Sequence, residues 1–110
     1  MNKYIVGFCL LFLTTSVSAQ SLIAKVLRVG CHTVNGQCFV YLDKPIPEGS
    51  ECTNTGAVLR WNSANVHNSE ELYSTLLAAH ATGTDVQFGS AGASCEGSYA
   101  SFSWFSIQPK

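Results

Sequence analysis

The stretch Asn68-Ser69-Glu70-Glu71-Leu72-Tyr73-Ser74-Thr75-Leu76-Leu77-Ala78-Ala79-His80-Ala81-Thr82-Gly83-Thr84-Asp85-Val86-Gln87-Phe88 changes its hydrophobic period part-way along. From Ser69 to Thr82, Leu72, Leu76 and Ala79 recur at helical spacing, with Leu77 and His80 on the neighbouring face. That pattern predicts a helix over Ser69–Thr82. Asn68 stands at the N-cap with Glu71 at capping-box spacing. Glu70 and Glu71 bring negative charge to the first turn, where the helix dipole favours it. Gly83 occupies the place of a left-handed C-cap. From Thr84 onward the residues alternate, which predicts a strand with Val86 and Phe88 facing inward.

Upstream of the helix the period is that of strands. Leu22 to Val29 is rich in β-branched residues and stops at Gly30. Lys25 lies on one parity of this run, and Ala24, Val26 and Arg28 lie on the other. Cys38 to Asp43 forms a second strand, closed by Lys44-Pro45-Ile46-Pro47, because two prolines cannot sit in a central ladder. Ala57 to Asn62 is a third strand, after the turn Thr53-Asn54-Thr55-Gly56. Downstream of the helix, Thr84–Phe88 and Tyr99–Ile107 supply a fourth and a fifth, joined through Gly89-Ser90-Ala91-Gly92-Ala93-Ser94.

The N-terminus has the order of a secretory signal peptide. Lys3 provides a positive charge, and Tyr4 to Leu13 is an apolar run broken only by Gly7. Val17-Ser18-Ala19 then presents small residues to a signal peptidase. Ten apolar residues rise about 15 Å as a helix, half of a hydrocarbon core of about 30 Å, so the run is too short for an anchor. Residues 1–19 are therefore expected to be removed, and residues 20–110 to form one exported domain, secreted or periplasmic, with no membrane insertion after cleavage. Cys9 has no lipobox before it and is not read as lipidated.

Removing Cys9 leaves Cys31, Cys38, Cys52 and Cys95, an even number in a small exported chain, which reads as two disulfides with three possible pairings. Cys31 to Cys38 has the form of a hairpin tip. A four-residue loop Thr33–Gly36 sets the two cysteines opposite each other, and an Asn35-Gly36 two-residue turn sets them diagonally. Either leaves them close, so Cys31–Cys38 is expected and, by subtraction, Cys52–Cys95. Zinc sites want Cys or His in closely spaced pairs, and neither these cysteines nor His32, His67 and His80 supply them. No metal and no cofactor is expected.

Five short strands with one helix between the third and fourth suit a mainly β, closed or partly closed barrel that hides its edges. The five-stranded OB-fold barrel has this order. The alternative is an open α+β sheet with the helix packed on one face.

Within that order, Leu72 to Phe88 resembles a pattern in small secreted bacterial OB-fold proteins: Tyr-x-x-Leu-Leu-x-Ala, then Thr-Gly, then a polar pair and a Val opening the fourth strand. The B subunits of subtilase-cytotoxin-like and pertussis-like AB5 toxins look like this. The resemblance runs from about Leu22 to Ile107, and Cys52 and Cys95 fit that family's tie across the barrel. It implies a pentamer-forming, glycan-binding subunit, with a cell-surface glycan and further copies of the chain as partners, or a relative that kept only the barrel. The toxin subunits' sugar-contacting serine has no match here, so no binding residue carries over. Cys31 and Cys38 are an addition to the pattern.

Composition narrows the chemistry. The 110 residues carry 6 Lys and Arg against 7 Asp and Glu, a formal charge of −1, so nucleic-acid binding through phosphates is not expected. No G-x-S-x-G occurs, adjacent Glu70 and Glu71 point to different faces, and the glycine-rich Gly89–Gly92 loop lacks a lysine and a following helix. The chain is not expected to be an enzyme. Binding is the stronger expectation, because Trp61, Trp104 and Tyr99 offer aromatic surface that can pack on the apolar face of a sugar. In Tyr99–Ile107 one parity holds Phe102 and Trp104 and the other holds Tyr99, Phe105 and Ile107, so strict alternation cannot bury them all. The other reading of such a chain is a monomeric secreted or periplasmic structural or adaptor protein.

Overall fold

A computed structural model describes residues 21–108. The proposed leader, residues 1–19, lies outside the described residues. The fold is mainly β, with strands β1 (Leu22–Cys31), β2 (Gln37–Leu42) and β3 (Val58–Asn62), one helix α1 (Ser69–Thr82), then β4 (Asp85–Gly89), β5 (Cys95–Glu96), β6 (Tyr99–Ala100) and β7 (Trp104–Ile107). Five strands form one antiparallel sheet in the order β3-β2-β1-β4-β7, and β5 and β6 form a separate two-stranded ribbon.

The first strand joins the two halves of the sheet. Its residues Leu22–Lys25 pair with β4, and Val26–Cys31 pair with β2. The register shifts between Val26 and Arg28, so an extra residue sits at this corner. A bulge bends its strand and re-aims the side chains beyond it. Arg28, which simple alternation groups with the buried Ala24 and Val26, is therefore turned outward and exposed.

The sheet does not close into a barrel. Its outer strands β3 and β7 share no ladder among the described residues. The run read from sequence as one strand, Tyr99–Ile107, is two, and the break explains both the opening and the aromatic surplus. Its first part turns toward β3 and the loop before it: the Ala100 N–H donates to the Asn54 carbonyl at 3.1 Å, and the Ser101 hydroxyl donates to the Arg60 carbonyl at 2.6 Å. Its second part joins β4, with the Ser103 N–H donating to Gly89. The interruption shifts the parity, so Phe102 packs edge-on against Phe88 and Trp61 while Phe105 also faces the core.

The core lies between the concave face of the sheet and α1. Val86 and Phe88 are fully buried, as their alternation predicts, beside Leu59, Leu72 and Leu76. The helix has the bounds read from sequence, and Gly83 adopts the left-handed conformation (φ 68°) with its N–H on the Ala79 carbonyl. The capping box is not formed. Asn68 makes no side-chain cap bond, and its backbone (φ −110°, ψ 41°) lies outside the extended region from which an N-cap side chain reaches back. The Ser69 hydroxyl instead accepts the Trp61 indole N–H at 2.9 Å, tying the helix start to β3.

Both disulfides join the expected partners, Cys31 with Cys38 and Cys52 with Cys95. Cys31 pairs directly with Cys38, and the His32 N–H donates to the Gln37 carbonyl, so the hairpin has the four-residue loop Thr33–Gly36. Two disulfides in a domain this small are compatible with an extracellular or periplasmic protein. Among the described residues, no helix is long and apolar enough to cross a membrane.

Candidate functional site

Alternation on β2 sends Cys38, Val40 and Leu42 into the core and leaves Phe39 and Tyr41 on the convex face. Register decides what stands beside them. Phe39 lies across from Gly30 on one side and Arg60 on the other, while Tyr41 lies across from Arg28. Gly30 is a matter of space, since a Cβ there would lie 2.8 Å from the tip of the Phe39 ring. The phenyl ring therefore lies down over the β1 backbone, and the bulge brings Arg28 in from the same side.

The result is a ladder of alternating rings and cations. The Arg60 guanidinium carbon is 3.8 Å from the centre of the Tyr99 ring and 5.9 Å from that of Phe39. The Arg28 guanidinium carbon is 5.6 Å from Phe39 and 5.5 Å from Tyr41. Phe39 meets Tyr41 edge-on at 5.7 Å, and His32 at the hairpin tip is 5.5 Å from Phe39. Cation–ring contacts contribute about 0.5–1 kcal/mol each when exposed and about 2 kcal/mol when desolvated. Here they set both guanidinium groups beside aromatic rings.

Neither arginine has a carboxylate partner among the described residues, where the one ion pair is Lys25–Asp85 on another part of β1 and β4. That pair is exposed; its hydrogen bond and attraction raise the Lys25 ammonium above, and lower the Asp85 carboxyl below, their ordinary ranges. Arg60 Nε is buried with no hydrogen-bond partner among the described residues. The face is bordered by the hairpin tip, where Val34 is 94% exposed, and by the β5–β6 ribbon. The two borders meet through the Gln37 side-chain amide, which donates to the Glu96 carboxylate at 2.6 Å. The Cys52–Cys95 disulfide anchors the ribbon from the other side.

The residues singled out in the sequence are dispersed over this structure. Tyr99 belongs to the ladder. Trp61 does not: it is 2% exposed, its ring in the core and its N–H on Ser69, so it presents no platform to a ligand. Trp104 is 48% exposed and lies across from Gly89 on β7, at the far edge of the sheet from β3. His80 hydrogen-bonds the Val26 carbonyl through Nδ1 at 2.9 Å, a tie from the helix to the start of the bulge.

No family model, curated protein or solved structure matches this chain. Sequence reasoning passed over Arg28, Phe39, Tyr41 and Arg60. Strict alternation in Cys38-Phe39-Val40-Tyr41-Leu42 carries a signal for the two rings, but nothing in the sequence sets two distant arginines beside them before the register is known.

Proposed function

We propose that this chain is an exported binding module of OB-fold type that recognises glycans through the convex face of β1, β2 and β3. The observation that carries the reading is the ladder Tyr99–Arg60–Phe39–Arg28–Tyr41, exposed at Arg28 and Tyr41, half-buried at the other three, and with neither arginine paired to a carboxylate among the described residues. Rings offer flat apolar surface to the hydrocarbon side of a sugar. The Arg28 guanidinium, on an exposed residue and without a carboxylate partner among the described residues, has N–H donors for the sugar's oxygens. The strand order supports the fold assignment, because an OB-fold barrel opened between its third and fifth strands reads β3-β2-β1-β4-β7 in the numbering used here. In that fold the face of the second and third strands, with the loops after the first and fourth, is where oligosaccharides and oligonucleotides lie. The low net charge argues for sugars over nucleic acid.

A single shallow face binds a monosaccharide weakly, so the reading includes self-association of copies, which raises avidity without new contacts. It assigns the chain no catalytic role. The test is a glycan array probed with the oxidised protein beginning at Gln20, alongside Arg28→Ala and Tyr41→Ala. Binding by the parent chain and its loss in both variants, with unchanged thermal unfolding, supports the assignment. The same signal from all three overturns the site, and silence from the parent chain overturns the glycan.

A second reading is a monomeric adaptor or structural protein of the envelope. Arg60 favours it, because its guanidinium is already covered by Tyr99 within the chain. Tyr- and Arg-rich faces are also common at protein interfaces.

A further inference from the structure

The chain contains six asparagines, and only Asn35 is followed by glycine. Each of the others precedes a residue whose side chain shields its backbone nitrogen. Asn35 is exposed in the loop Thr33–Gly36, and its side-chain oxygen accepts the Gln37 N–H at 3.1 Å. That bond folds the side-chain amide back along Gly36 and draws electron density from the amide carbon. The glycine cannot readily be replaced by a shielding residue. Gly36 has φ +73°, and a Cβ there would lie 2.9 Å from the Ser63 hydroxyl oxygen.

We infer that Asn35 is a site of spontaneous covalent modification, converting to aspartate and isoaspartate in the folded, exported protein. The Gly36 backbone nitrogen, losing its proton to solvent base, bonds to the side-chain carbon of Asn35, and the bond from that carbon to Nδ2 breaks. Ammonia leaves and a five-membered succinimide remains. Water opens the ring at either carbonyl, giving aspartate or its isomer with the chain routed through the side-chain carbon. No oxidant, reductant or enzyme is needed. The Gly36 N–H donates a long bond of 3.2 Å to the His32 carbonyl, which must open for the attack. The Cys31–Cys38 disulfide keeps the hairpin closed while it does so. The product places one new negative charge on the loop next to His32, whose ring lies 5.5 Å from that of Phe39.

The test is incubation of the oxidised protein beginning at Gln20 in neutral and mildly alkaline buffer, followed by isoelectric focusing and peptide mapping with an isoaspartate-specific methyltransferase. The expected result is a growing acidic form, one charge more negative, with the mass change of amide to acid and the methyl label confined to the peptide holding residue 35. The form should grow faster in the alkaline buffer and be absent from Asn35→Gln, whose longer side chain disfavours ring closure. An intact amide at residue 35, in folded protein whose unfolded, reduced chain deamidates there, would overturn the inference. Equal conversion at Asn54, Asn62, Asn65 or Asn68 would overturn it too.

Discussion

Trp104 stands directly across from Gly89 on the neighbouring strand, and its indole ring occupies the space a side chain at Gly89 would need. The contact involves the fused ring atoms, not a flexible tip, so the ring cannot step aside cheaply. Phe39 covers Gly30 with the tip of its ring on the other half of the sheet. Both pairs put a large ring over glycine backbone and pin the register where a glycine would otherwise loosen it.

Gly89→Ala should therefore displace Trp104 and destabilise the domain by about 1–3 kcal/mol, the usual cost of forcing extra volume into a packed contact. Urea unfolding gives the stability change. Acrylamide quenching reports the ring, since Trp104 is half exposed and Trp61 is buried. Quenching of the exposed fraction should increase in the variant, and an unchanged quenching curve would contradict the packing described.

Trp61 has a structural role. Trp61→Phe removes the indole N–H from the half-buried Ser69 hydroxyl, at a cost of about 0.5–1.5 kcal/mol. Glycan affinity per folded molecule should not change. An affinity loss with stability intact would return Trp61 to the site.

The two disulfides should differ in their contribution. On the chain-entropy account, closing the separation of 7 residues at Cys31–Cys38 contributes about 2.5 kcal/mol, and closing that of 43 at Cys52–Cys95 contributes about 4 kcal/mol. Paired Cys→Ser variants compared by thermal unfolding should rank in that order. The reverse order would mean that the hairpin tip matters more to the fold than the ribbon's attachment.

The pair Lys25–Asp85 predicts a small pH dependence. The Asp85 carboxyl is depressed by its bond to Lys25, so its stabilisation is present above the ordinary carboxylate range and is lost as pH falls through the folded value. The Lys25 ammonium is raised, so its share is present below the ordinary lysine value and is lost as pH rises through the folded one. Asp85→Asn should lower the melting temperature slightly at neutral pH and not at all in strong acid, and salt should shrink the difference, as for any exposed pair. A deficit that persists in acid would assign the effect to packing.

The sequence carried the strands β1 to β4 and the helix bounds through local period, the Cys31–Cys38 pairing through proximity in a hairpin, and Cys52–Cys95 by subtraction. It was silent where one residue changes parity. The bulge after Val26 turns Arg28 outward, and the break before Ser103 lets Phe102 and Phe105 both face the core. Alternation counted along the chain cannot anticipate either, since both answer to the curvature of the sheet. The expected platform tryptophans illustrate the consequence. Trp61 lies in the interior, Trp104 serves Gly89, and the exposed ladder comes from residues brought together only by register.

The most direct measurement is a two-dimensional NMR titration of isotope-labelled, oxidised protein with the glycan that the array identifies. The account predicts shift changes confined to the neighbourhood of Arg28, Phe39, Tyr41, Arg60 and Tyr99, with an affinity lowered about tenfold or more by Tyr41→Ala, a loss of about 1.4 kcal/mol. Changes centred on Trp104 and the β7 edge, or binding untouched by the variant, would contradict it.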